Sequence, residues 1–103
     1  MSSIINSRRE VGTLYLEILV QQLDAAVAKG VKDEFGHLDL AGVSRVTVDL
    51  KSVQFVDSSG IGSLLNLYKR LPGGSAVRLV GVQASVRAVL ELLRLHRVFE
   101  IVG

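Results

Sequence analysis

Two hydroxyls, Ser58 and Ser59, stand between an acid and a glycine in the segment Val53-Gln54-Phe55-Val56-Asp57-Ser58-Ser59-Gly60-Ile61-Gly62. An apolar run stops at Asp57, and a helical pattern starts directly after it. The hydroxyls therefore fall at the N-terminus of a predicted helix. Free backbone N–H groups and the positive end of the helix dipole favour a phosphate or another anion there. The same residues also suit a plain helix start, because Asp and Ser are preferred N-caps and glycine permits a tight turn. Local chemistry leaves a regulated hydroxyl and a simple cap both open, and favours the cap.

Catalytic readings of these residues fail on spacing. A serine hydrolase needs a nucleophile, a base within reach and an orienting acid. Centred on Ser59, the Gly-x-Ser-x-Gly elbow would require glycine at Asp57 and Ile61. The two histidines, His37 and His96, fall late in or at the ends of predicted helices, where a cation complements the dipole. Gly60-Ile61-Gly62 follows a strand and opens a helix, as a dinucleotide fingerprint does, but Leu65 occupies the third glycine position. No Gly-Lys-Ser/Thr occurs, and no His/Asp/Glu cluster has metal-ligand spacing. No catalytic residue, metal or cofactor is expected.

Composition narrows the class. At 103 residues and 49% hydrophobic, the chain supports one domain, residues 1–103, with a real core. It has no cysteine, which removes disulfides and thiolate metal sites. No apolar run reaches bilayer-spanning length, and Met1-Ser2-Ser3-Ile4-Ile5 lacks the apolar core of a signal peptide. A cytoplasmic protein without a membrane span is expected. The net charge is +2, with the basic excess in Lys69, Arg70, Arg78, Arg87, Arg94 and Arg97. Nucleic-acid binders interleave denser basic clusters with aromatics, so no direct nucleic-acid contact is expected.

The elements that position the hydroxyls can be read from periodicity. A strand near Ile4-Ile5 precedes a turn at Val11-Gly12, and Thr13 to Val20 alternates as a second strand. Leu23-Asp24 opens a helix with Asp24 as N-cap and Val27, Val31, Phe35 and Leu38 at helical spacing. Arg45 to Leu50 alternates as a strand, and Phe55-Val56 ends a short extended piece. Ile61, Leu64, Leu65, Tyr68 and Leu71 define a helix from about Ser58 to Leu71, ahead of the turn at Pro72-Gly73-Gly74. Ala76 to Val80 is a strand, Val86, Val89, Leu90 and Leu93 mark a third helix, and Val98 to Val102 closes as a strand. Alternating strands and helices of this length predict an α/β fold.

With these elements in place, the chain resembles a STAS domain of the bacterial anti-sigma factor antagonist family. The resemblance rests on Val48-Asp49-Leu50, on Val53 to Gly62 with its Asp-Ser-Ser-Gly core, and on Leu64-Leu65 and Tyr68-Lys69. It continues through Leu23-Asp24, Val77 to Val82 and the leucine-rich ending from Leu92 to Val102. It implies a mixed sheet of four to five strands with three to four helices mainly on one face. It also implies that the first serine of the motif, Ser58, is phosphorylated by an anti-sigma factor that is itself a serine kinase of the histidine-kinase-like ATPase type. The unphosphorylated antagonist would bind that factor and free a sigma factor. A metal-dependent serine/threonine phosphatase would restore binding. Asp57, Ser58, Ser59 and Gly60 would form the contact, with Asp24 near the loop. The exposed part of the second helix, including Ser63, Asn66, Lys69 and Arg70, would extend it, while Ile61, Leu64, Leu65 and Tyr68 would be core. The implied state is a monomer or weak dimer. A STAS scaffold or accessory subunit in a stressosome or transporter complex is the alternative.

Overall fold

The computed structural model describes residues 4–73 and 75–103. Its main sheet takes strands β1 (Ile5–Glu10), β2 (Thr13–Ile18), β4 (Arg45–Asp49), β6 (Ala76–Val80) and β7 (Glu100–Ile101), in that spatial order. β1 pairs antiparallel with β2; the other pairings are parallel. Two short strands, β3 (Gln22–Leu23) and β5 (Phe55–Val56), pair parallel to each other beside it. Helices α1 (Ala25–Gly36), α2 (Ser58–Arg70) and α3 (Ala84–Leu92) connect the parallel strands. This is the α/β mixed five-stranded sheet with three helices expected of the STAS fold.

Period-two alternation divides the sheet into two faces. Leu14, Leu16 and Ile18 of β2, Val46 and Val48 of β4, and Val77 and Leu79 of β6 are buried. They share a core with Val31 and Phe35 of α1, Leu64 and Leu67 of α2, and Val86 and Leu90 of α3. The opposite face carries Tyr15, Glu17, Thr47, Asp49 and Arg78, none of them buried. Its charges pair among themselves. The Lys51 ammonium lies 3.4 Å from Glu17 and 3.6 Å from Asp49, and Arg78 lies 3.0 Å from Glu100. Arg8 stacks 4.2 Å above the Tyr15 ring. An open face of this kind is solvated and needs no second layer of helices.

Element ends follow local chemistry. The predicted Thr13 to Val20 strand stops at Ile18, and Gln22–Leu23 instead pairs with Phe55–Val56, a contact too short to leave a periodicity. α1 ends before Leu38; His37 is its C-cap, and Leu38 packs on the core from outside the helix. α2 stops at Arg70 because Leu71 precedes Pro72 and is extended, at φ −73° and ψ 150°. Past α3, Arg94 turns left-handed at φ 58° and a 3-10 turn follows over Leu95–Arg97, which shortens the predicted closing strand to Glu100–Ile101.

Two side chains on α2 depart from expectation. Ser63, expected on the exposed docking side, is fully buried, and its hydroxyl donates to the Gly60 carbonyl at 2.6 Å. It lies on the stripe of Gly60, Leu64 and Leu67 that packs inward, where a small side chain with an internal acceptor fits. Tyr68, expected in the core, is 40% exposed and meets Phe99 edge-on with ring centroids 6.0 Å apart. No helix among the described residues is long and apolar enough to cross a membrane.

Candidate functional site

The motif sits where two helices begin. β5 carries the chain to Val56, which is buried, and Asp57 stays extended at φ −112° and ψ −174° as the N-cap of α2. Its two carboxylate oxygens serve different helices. Oδ1 accepts from the Gly60 N–H at 3.0 Å, within the first turn of α2. Oδ2 accepts from the Ala25 N–H at 3.3 Å, the first residue of α1. Asp24 caps α1 in the ordinary way, accepting from the Ala26 N–H at 3.0 Å. One carboxylate thus ties together the positive ends of two helix dipoles, with a second carboxylate beside it.

Gly60 makes this convergence fit. A Cβ at that position would stand 2.0 Å from the Leu23 carbonyl oxygen and 2.8 Å from a Val56 methyl. The first turn of α2 therefore rests directly on the end of β3, and only glycine allows that approach. The Asp57 N–H donates to the same Leu23 carbonyl at 3.3 Å. Leu23, Asp24, Asp57 and Gly60 form a backbone knot that fixes the loop.

The structure brings together Asp24, Asp57, Ser58, Ser59 and Gly60. Ser58 is exposed and is the first residue of α2; Ser59 is half-buried. Neither hydroxyl hydrogen-bonds to another described residue, so no histidine activates either serine. His37 sits at the far end of α1, about 20 Å along the helix from Asp24. Its Nδ1 lies 2.7 Å from the Asp33 carbonyl. Among the described residues, no group of three His, Cys, Asp or Glu side chains could hold a metal ion. The arrangement presents an unactivated hydroxyl to solvent at a helix start.

Along α2, the residues beyond the motif separate by angle. At about 100° per residue, Gly62, Leu65 and Lys69 fall on the same side as Ser58, with Asn66 at its flank. Lys69 is exposed and Asn66 half-buried. A Cβ at Gly62 would meet nothing within 4 Å, so the ridge is bare one turn past Ser58. Gly62 lies on this outward ridge, although the sequence suggested only a failed nucleotide fingerprint there, while Leu65, half-buried at the ridge's base, packs against the core as expected. The angular distance from Ser58 is the signal that finds Gly62. Arg70 is tied to the other end of α1, donating to the Gly36 carbonyl at 3.3 Å.

Comparisons with known proteins bear on this geometry. The structure resembles an anti-sigma factor antagonist from Mycobacterium paratuberculosis, at a TM-score of 0.83 and 18% identity, covering 96% of this chain and 84% of that one. It also resembles the phosphorylated form of the Bacillus cell fate determinant SpoIIAA, at a TM-score of 0.69 and 17% identity, covering 96% and 91%. A sulfate transporter family protein from Wolinella succinogenes aligns at a TM-score of 0.72 and 17% identity, covering 90% and 78%. At these identities the likeness is one of fold. No curated protein sequence matches the chain. The family model described as STAS domain matches residues 7–102, nearly the whole length, and the chain belongs to the STAS domain family.

Proposed function

We propose that this chain is an anti-sigma factor antagonist, a single cytoplasmic STAS domain whose Ser58 hydroxyl is the substrate of a serine kinase. The observation that carries the reading is the inequality of the serines: Ser58 is exposed at the first position of α2, Ser59 is half-buried and Ser63 is buried. The unphosphorylated chain binds an anti-sigma factor with serine kinase activity, and a sigma factor is released. Phosphorylation ends that binding, and a metal-dependent serine/threonine phosphatase restores it. The chain itself catalyses nothing. Ser58, Asp57, Gly62, Asn66 and Lys69 form the contact ridge, with Asp24 and Ser59 beside it and Gly60 beneath.

Electrostatics make the switch effective. Phosphoserine adds about −1.5 to −2 charges at neutral pH. The new charge stands next to Asp57, whose two oxygens already occupy the Gly60 and Ala25 amides. A helix start tolerates a phosphate in the free protein, so the fold is kept. A partner surface built against a small neutral hydroxyl instead meets a dianion. Burying that charge poorly paired costs roughly 2–5 kcal/mol, or about thirtyfold and upward in affinity. Titration with the anti-sigma factor kinase of the source cell tests this. Ser58→Ala retains binding, and Ser58→Asp weakens it at least tenfold; equal binding of the two variants would contradict the reading.

The likeness to the Wolinella sulfate transporter family protein supports a second reading, an accessory domain in a transporter assembly. Co-purification with a transporter and no kinase would favour it.

A further inference from the structure

A second surface lies away from Ser58, at the corner where α3 turns into the 3-10 segment. Leu92 is 81% exposed and Leu93 50% exposed. Tyr68, also exposed, meets Phe99 edge-on just past this turn, and the Phe99 N–H donates to the Leu95 carbonyl at 2.8 Å. Single exposed leucines are ordinary, but two adjacent ones at a helix end form a patch.

The charges of the stretch between Tyr68 and Phe99 are mostly basic, with Lys69, Arg70, Arg78, Arg87, Arg94 and Arg97. Its only acidic residue is Glu91, and it faces Arg87 at 4.0 Å. Among the described residues, neither Arg94 nor Arg97 has a carboxylate within 4 Å. The contrast is with the open sheet face, where Arg8, Lys51 and Arg78 are each paired. Arg94 also occupies a left-handed position, φ 58° and ψ 30°, where a helix ordinarily ends on glycine or asparagine. An arginine held there at a conformational cost places its charge beside exposed leucines.

We propose that this corner docks an acidic amphipathic helix of a partner protein. Its apolar residues cover Leu92, Leu93 and Tyr68, and its carboxylates pair with Arg94 and Arg97. Charge selects this occupant over a second copy, because a two-fold contact at the corner would set these arginines against their own counterparts. A membrane surface calls for a larger basic cluster and a longer apolar face than α3, with its nine residues, supplies. The surface is independent of Ser58 and stands whether or not Ser58 is phosphorylated.

The test is an NMR titration of the intact protein with a synthetic peptide carrying leucines at helical spacing between glutamates. Amide shifts are expected at Tyr68 and residues 92–97. The paired reversal Arg94→Glu with Arg97→Glu, and separately Leu92→Ser, should each weaken binding at least tenfold. Arg94→Gly should weaken binding about fivefold while raising the melting temperature, which separates docking from a structural role. Ser58→Asp should bind this peptide unchanged. Equal binding of a scrambled peptide of the same composition, or of the Arg94/Arg97 reversal, would overturn the proposal. So would Leu92-dependent self-association, or Leu92-dependent sedimentation with phosphatidylserine vesicles without peptide binding.

Discussion

At the scale of single residues, the site depends on groups whose absence matters as much as their presence. Gly60 and Gly62 are two positions apart on one helix, yet they face opposite constraints. A methyl at Gly60 meets the Leu23 carbonyl at 2.0 Å, and backbone cannot move aside as a flexible side chain can. Gly60→Ala should cost about 3 kcal/mol, the upper part of the range for overpacking. Gly62 has open space, so Gly62→Ala should gain about 0.5–1 kcal/mol of helix propensity. Urea unfolding of both variants checks this; changes of the same sign would contradict the geometry. Val11 gives a third case. It is fully exposed at the tip of the β1–β2 hairpin with φ 31°, followed by Gly12 at φ 79°. Positive φ at both central residues favours Asn-Gly and disfavours a β-branched side chain. Val11→Asn should raise unfolding stability by about 1 kcal/mol, read as a rise of several degrees in melting temperature. An unchanged or lower melting temperature would remove strain as the explanation.

At the scale of elements, Asp57 and Lys51 each join segments distant in sequence. Asp57→Ala removes acceptors from the first turns of both α1 and α2, and should cost about 1–2 kcal/mol in chemical unfolding. Lys51 bridges Glu17 of β2 and Asp49 of β4 on the open face. The Glu17 charge first, and then Asp49, hold its ammonium above the ordinary value of 10.5. A cation favoured by the fold contributes stability below its unfolded pKa and loses it as pH rises through the higher folded value. The melting-temperature difference between the native chain and Lys51→Met should therefore hold from about pH 7 to pH 9 and shrink above 10.5. A difference that grows in that alkaline range would contradict the assignment. Periodicity made most of these elements legible, because β2, β4, β6 and the three helices each bury one regular face. It could not show the β3–β5 pair, whose two-residue strands are set by contacts between distant segments, Leu23 with Val56. Nor could it show the left-handed turn at Arg94, where the residue type argues against the conformation.

At the scale of the molecule, the fold explains why one hydroxyl is offered outward. Two crossover helices start at the same end of the sheet, and Asp57 binds their N-termini together, leaving Ser58 as the first exposed residue of α2. The Asp-Ser-Ser-Gly segment could be located from sequence, and Asp24 was legible as a cap. That Asp57 also caps α1 was not, since the Ala25 amide is thirty-two residues away. Ser63 was misplaced because its polarity suggested solvent, whereas its hydroxyl finds an acceptor inside its own helix. A fixed loop also predicts a switch without refolding. Ser58→Asp should keep the native circular dichroism spectrum and cooperative unfolding while it loses the partner; loss of cooperative unfolding would make misfolding the cause. The most direct measurement is phosphosite mapping by tandem mass spectrometry after incubation with the anti-sigma factor kinase of the source cell and ATP. A single phosphate on Ser58, absent from Ser58→Ala, is the predicted result. Phosphate on Ser59, or undiminished phosphorylation of Ser58→Ala, would contradict the account.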